Sequence, residues 1–211
     1  MTTAIHPATH PELSLDGLLP RLVRQRWTSN TGLSDDGFCD SVATLPLSQN
    51  WSMTLRCQTS DGGINVSQRG LDKLGVSIQH AWDFAAINLA EASRSEYGTQ
   101  FWMRPASAVL GPGCPNGVQV ATSRYPISSW LAHPRAFLLL DEHLRNILAA
   151  ERLVYLVPDP VTVLALAGVS HQEATAWARR AQETRPRHRV QLSSVPLLLV
   201  QGFPQDYCLD F

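Results

Sequence analysis

The chain has 211 residues, 44% of them hydrophobic, which is room and material for one large domain or two small ones around a substantial core. Charged residues make up 17%, and 17 basic against 18 acidic side chains leave a net charge of −1. That balance removes any global electrostatic case for a polyanion or an anionic membrane as partner. It also holds regionally: residues 1–70 carry five basic and six acidic groups, and residues 71–150 and 151–211 carry six of each.

Sixteen of the basic residues are arginine, and Lys73 is the single lysine. A phosphate-cradling P-loop needs Gly-x-x-x-x-Gly-Lys-Ser/Thr. Lys73 instead follows Gly70-Leu71-Asp72 and precedes Leu74-Gly75, so that motif is absent. Residues 1–13 show no basic region leading into an apolar stretch. The longest apolar stretches, Leu153 to Val157, Val161 to Ala167 and Val195 to Val200, fall well short of the roughly 20 residues that cross a bilayer. A cytoplasmic, bacterial protein without a membrane span is the expectation. Cys39, Cys57, Cys114 and Cys208 are scattered, with no Cys-x-x-Cys pair, and read as reduced thiols.

In chain order, residues 1–13 contain Pro7 and Pro11 among small polar residues and read as a mobile arm. Leu15, Leu18, Leu19, Leu22, Val23 and Trp27 fall on one helical stripe, so a helix is expected from 15 to 27, late-starting or kinked at Pro20. Residues 28–49 read as a long connection. From Trp51 to Gln58 apolar and polar residues alternate, predicting a half-buried strand. Ser60-Asp61-Gly62-Gly63 then supplies a hairpin turn, after which Ile64 and Val66 resume the alternation.

Ser77 is an N-cap candidate for a helix reaching about Ser93, with Ile78, Ala81, Trp82, Ala85, Leu89 and Ala92 inward. A strand is expected within 97–103, a breaker-rich loop over 111–117 and a short strand over 118–121. Between Pro126 and Ala150 the pattern gives a short helix, a break at His133-Pro134 and a longer helix. Leu153 to Val157 and Val161 to Leu166 read as buried paired strands around Pro158-Asp159-Pro160. Ser170-His171-Gln172-Glu173 is a capping box opening a helix, and Val195 to Val200 is a last buried strand. The sum is an α+β (mixed α/β) class: residues 14–211 as a single domain, with a mixed, partly antiparallel sheet covered by helices.

The chemistry sought is mostly missing. Gly111-x-Gly113-x-x-x-Gly117 has the wrong spacing for a dinucleotide fingerprint and contains Pro112 and Pro115. His-Glu-x-x-His and Gly-x-Ser-x-Gly are absent, and no zinc site assembles from local spacing. Cys39 has acidic neighbours that disfavour a thiolate. Asp141, Glu142 and Arg145 read as a solvated ion-pair patch. No catalytic residue, metal or cofactor is assigned.

Three features remain. Ser123-Arg124-Tyr125 follows a short strand and precedes Trp130 and His133; a strand-end arginine there could hold a carboxylate or phosphate, unless Arg124 sits in a structural salt bridge and Trp130 fills core. His80 and Asp83 stand one helical turn apart, within reach of each other, with capping or surface roles as the plainer reading. Arg179, Arg180, Arg185, Arg187 and Arg189 form a run with only Glu183 among them. It could grip an acidic partner or a phosphate backbone, or simply close a solvated helix end.

The run from Gly70 to Leu89, which holds Ala85-Ala-Ile-Asn-Leu89, is followed by Ala121-Thr-Ser-Arg-Tyr125 and by Leu153-Val-Tyr-Leu-Val-Pro-Asp-Pro-Val-Thr-Val-Leu164. This arrangement resembles a group of bacterial α/β proteins known only as a domain of unknown function, over about the middle half of the chain. The resemblance implies a mixed α/β fold and no known activity.

The expectation is therefore a non-catalytic domain that binds a protein or peptide partner, or a second copy of itself, with no membrane and no nucleic acid. One alternative is a small-ligand binder or enzyme with Arg124 as anion anchor and His133 or His80 nearby. Another is nucleic-acid contact through residues 179–189. The candidate binding residues are Arg124, Tyr125, Trp130, His133, Arg179, Arg180 and Arg185.

Overall fold

A computed structural model describes residues 13–25, 40–59 and 62–208. The expected N-terminal arm, apart from Leu13, and the residues Trp27, Cys39, Ser60 and Asp61 lie outside the described residues. Four strands form the first sheet: β1 (Leu18–Arg24), β2 (Thr44–Pro46), β3 (Trp51–Thr59) and β4 (Gly62–Asn65), in the order β1-β3-β2 with β4 also on β3. Two helices follow, α1 (Gln68–Leu74) and α2 (Ile78–Ala92), then a small pair, β5 (Arg94–Ser95) and β6 (Gly98–Thr99).

The second sheet takes β7 (Trp102–Pro105), β8 (Gly117–Ala121), β9 (Leu153–Asp159), β10 (Thr162–Ala167), β11 (Leu197–Val200) and β12 (Phe203–Asp206), ordered β12-β11-β9-β10-β8-β7. Between its strands lie α3 (Ser107–Leu110), a 3-10 helix (Ile127–Ala132), α4 (Pro134–Leu148) and α5 (His171–Thr184). The class is α+β, as expected. Every described pairing is antiparallel, so the sheets are not mixed.

Residues 18–24, expected in a helix, are a strand. Leu18, Leu19, Leu22 and Val23 are all buried, and a strand covered on both faces leaves an apolar run that a helical stripe also fits. Pro20 suits this placement, because β1 is a sheet edge and one side of its backbone needs no ladder donor. β3 is likewise buried on both faces at its start, where Ser52 and Thr54 are as enclosed as Trp51, Met53 and Leu55.

The helices start where their caps are. Ser77 Oγ accepts the His80 N–H at 3.2 Å to open α2. Ser170 and Glu173 close a reciprocal capping box on α5, and Glu173, bonded to the Ser170 backbone and hydroxyl, is held below the usual carboxylate range. Trp82, expected inward on α2, is only partly buried and donates Nε1–H to the Ala132 carbonyl at 2.8 Å. Trp177 on α5 is also only partly buried.

The second sheet has two different faces. Val154, Leu156, Leu164, Leu166 and Leu198 pack against α5 through Ala174, Ala178 and Ala181, and against Ala106 and Leu110 at α3. Leu153, Tyr155, Val157, Val163, Ala165 and Leu197 join the core shared with the first sheet, α2, the 3-10 helix and α4. Because α5 crosses the central strands and α3 is only four residues long, the α5 side of β8 and β7 is left partly open. Among the described residues no helix is long and apolar enough to cross a membrane.

Candidate anion-binding cleft

The open part of that sheet face is a cleft of about 490 Å³. Its floor is β7 and β8, through Arg104, Gln119 and Ala121; its end is the β9–β10 turn, through Asp159, Val161 and Thr162; its wall is the C-terminal end of α5, through Thr184, Arg185 and the following Arg189. Pairing register explains why these side chains meet. Arg104 lies opposite Gln119, so both project to one face, and Arg104 Nε donates to Gln119 Oε1 at 2.6 Å.

Three guanidinium groups face a single carboxylate among the lining residues, that of Asp159. Asp159 is fully buried, yet both oxygens are engaged: Oδ1 accepts the Val161 N–H at 2.9 Å, and Oδ2 accepts the Thr162 hydroxyl at 3.0 Å and lies 3.6 Å from Arg189 Nη1. The turn is therefore built by a side chain that bonds the backbone two residues on. Arg189 also donates to Thr162 Oγ1 at 3.4 Å. Arg185 donates from Nε to Gln182 Oε1 at 3.3 Å and from Nη1 to the carbonyls of Pro186 and Arg189. In each arginine at least one N–H group keeps no protein partner among the described residues, so each can still donate to a bound oxyanion.

Of the residues singled out from sequence, Tyr125, Arg185 and Arg189 line this cleft. Arg124 does not: it is exposed beside Tyr125, and among the described residues it forms no salt bridge. Trp130 is core, edge-on to Phe101 at a centroid separation of 4.8 Å, and its buried indole N–H has no partner among the described residues. Arg179 is exposed, and Arg180 pairs with Glu183 at 3.3 Å on the surface. From the arginine run only Arg185 and Arg189 reach the cleft.

His133 is 3% exposed and caps α4: Nδ1 accepts the Arg135 N–H and Nε2 contacts Asp83 Oδ1, each at 3.2 Å. Asp83 thus meets His133 and not His80, which is exposed. Burial lowers the His133 pKa, against the pull of the Asp83 carboxylate. The ring lies 4.6 Å from Trp82, away from the cleft. Asp141 is not on a solvated patch either. It is buried, accepts the Tyr155 hydroxyl at 2.7 Å, and meets Arg145 at 2.7 Å in a charge contact rather than an aligned hydrogen bond. Burial, reinforced by Asp141, raises the Tyr155 pKa well above its ordinary value, so the phenol keeps its proton.

Arg104 and the cleft role of Asp159 escape a reading of the sequence. The expected strand within 97–103 stops one residue before Arg104, whereas β7 runs to Pro105. Strand alternation carried through Arg104 would have placed it beside Trp102.

Fold and cleft together define an α+β protein with an open, arginine-lined cleft. Comparison of the chain with protein-family models, with curated proteins and with solved structures finds no match in any of the three. Among the described residues no group of three or more His, Cys, Asp or Glu side chains is placed to hold a metal ion.

Proposed function

We propose that the protein is a binding domain whose cleft takes an anionic ligand with phosphate or carboxylate oxygens. The observation that carries this reading is the convergence of Arg104 from β7 with Arg185 and Arg189 from the end of α5 and the segment after it, on a cleft whose only acid among the described residues, Asp159, is already occupied. Charge-assisted hydrogen bonds to an oxyanion are worth more than neutral ones, and three donors in one concavity fix its position.

The test is calorimetric titration of the full chain with inorganic pyrophosphate at low salt. Binding is expected, weakening as salt screens the charges, with Arg104→Ala and Arg189→Ala each lowering affinity about tenfold. Unmeasurable binding, or affinity unchanged in both variants, overturns the reading.

A second reading, binding of a protein or peptide partner, is favoured by a different observation. β7 is the outer strand of the second sheet, and all four of its residues are exposed. An extended acidic peptide could add to that edge as a further strand, its side chains meeting Arg104. Chemical-shift changes on titrating an acidic peptide should then be centred on the β7 backbone; changes confined to α5 would count against it.

A further inference from the structure

We infer that the cleft takes a nucleoside phosphate, its phosphates on the arginines and its base stacked on Trp102. This rests on the anion-binding reading above and names the ligand class. Trp102 pairs with Ala121 and Arg104 with Gln119, and Ala121 and Gln119 both line the cleft. Paired residues, and residues two apart on one strand, share a face, so Trp102 stands on the cleft side of the sheet, one strand repeat of about 7 Å from Arg104. Met103 takes the opposite face, paired with the core residue Val120.

Trp102 is 63% exposed, an unusual state for the largest side chain on a sheet surface. An open indole face next to guanidinium groups is the combination that holds a nucleic-acid base and its phosphate at once, the first by stacking and the second by charge-assisted hydrogen bonds. Arg104 and Trp102 stand on that one face two residues apart on β7, so a ribose would bridge the two contacts. The cleft volume is within the range of small-ligand sites. Stacking accepts any base, so the class is a nucleoside phosphate with no base preference read from this surface.

The test compares ADP with pyrophosphate by calorimetry on the full chain, in the wild type and in Trp102→Ala and Trp102→Phe. Trp102 is exposed on an edge strand, so both variants should fold, which thermal melting checks. ADP is expected to bind about tenfold tighter than pyrophosphate in the wild type. That advantage should vanish in Trp102→Ala, survive in part in Trp102→Phe, and leave pyrophosphate affinity unchanged throughout. Equal affinity for ADP and pyrophosphate in the wild type overturns this inference and leaves the anion reading standing; binding of neither overturns both. An ADP advantage that persists in Trp102→Ala overturns the stacking role. A short oligothymidylate that binds about tenfold tighter than ADP and depends on Trp102 overturns the free nucleotide in favour of a single strand.

Discussion

Asp159 is buried at the turn between β9 and β10 with both oxygens occupied, and its negative charge sits in the cleft that three arginines line. The two effects can be separated, because an amide of the same shape keeps an oxygen for the Val161 N–H and places an N–H near Thr162 Oγ1 while giving up the charge. Asp159→Asn is therefore expected to cost about 1–2 kcal/mol of stability, since Arg189 loses its ion pair. It is expected at the same time to tighten pyrophosphate binding about three- to tenfold at low salt, by removing a like charge from the path of the anion. Calorimetry and thermal melting on one preparation check both. If binding weakens in step with stability, Asp159 serves the cleft as a scaffold for Arg189 and its charge is irrelevant.

At the scale of elements, α4 begins on a cap that titrates. His133 Nδ1 accepts the Arg135 N–H, so the neutral ring with its proton on Nε2, facing Asp83, satisfies both contacts. Protonating Nδ1 would set two N–H groups against each other and would leave a cation where burial already disfavours one. The folded pKa lies below the unfolded value of 6.5, so the folded state binds fewer protons between the two. Stability from this group is thus fully present above about pH 6.5 and is lost as pH falls from there toward the folded pKa. His133→Asn, whose side-chain oxygen caps without titrating, should flatten the melting temperature across that window. Parallel profiles for the two proteins would place the acid sensitivity elsewhere.

The elements also show what the sequence could and could not convey. Strand β3, the caps of α2 and α5, the His133-Pro134 break and the β9–β10 pair are all local patterns: alternation, a hydroxyl before a helical stripe, a proline at a first turn. β1 was misread because burial on both faces erases the alternation that marks a strand, leaving only Pro20 as a hint. β12 carries Phe203-Pro-Gln-Asp206, four residues with no periodic signal, and it exists because β11 offers it an edge. The cleft lay further from reach. Tyr125, Arg185 and Arg189 are recognisable as candidates on their own, but they join Arg104 and Asp159 in one site only through sheet register and the crossing of α5.

The two sheets are joined by more than the core they share. Asp206, at the end of β12 in the second sheet, receives Arg24 Nη1 from β1 at 2.7 and 3.0 Å, Trp51 Nε1 from β3 at 2.8 Å, and the Asn50 amide at 2.9 Å. The Arg24 guanidinium also lies 4.7 Å above the Trp51 ring, and Ser48 donates to the Pro204 carbonyl at 2.7 Å. One carboxylate, 8% exposed, thus holds donors from residues more than 150 positions earlier in the chain. Removing it would strand the enclosed Trp51 indole N–H and unpair a guanidinium that is partly exposed, so Asp206→Ala should cost about 3 kcal/mol. For a chain of this size that corresponds to a fall in Tm of about 6–12 °C. Because the apolar core between the sheets remains in the variant, scanning calorimetry should still record a single transition at the lower temperature. Two separated transitions would mean that the Asp206 cluster, and not the shared core, couples the sheets.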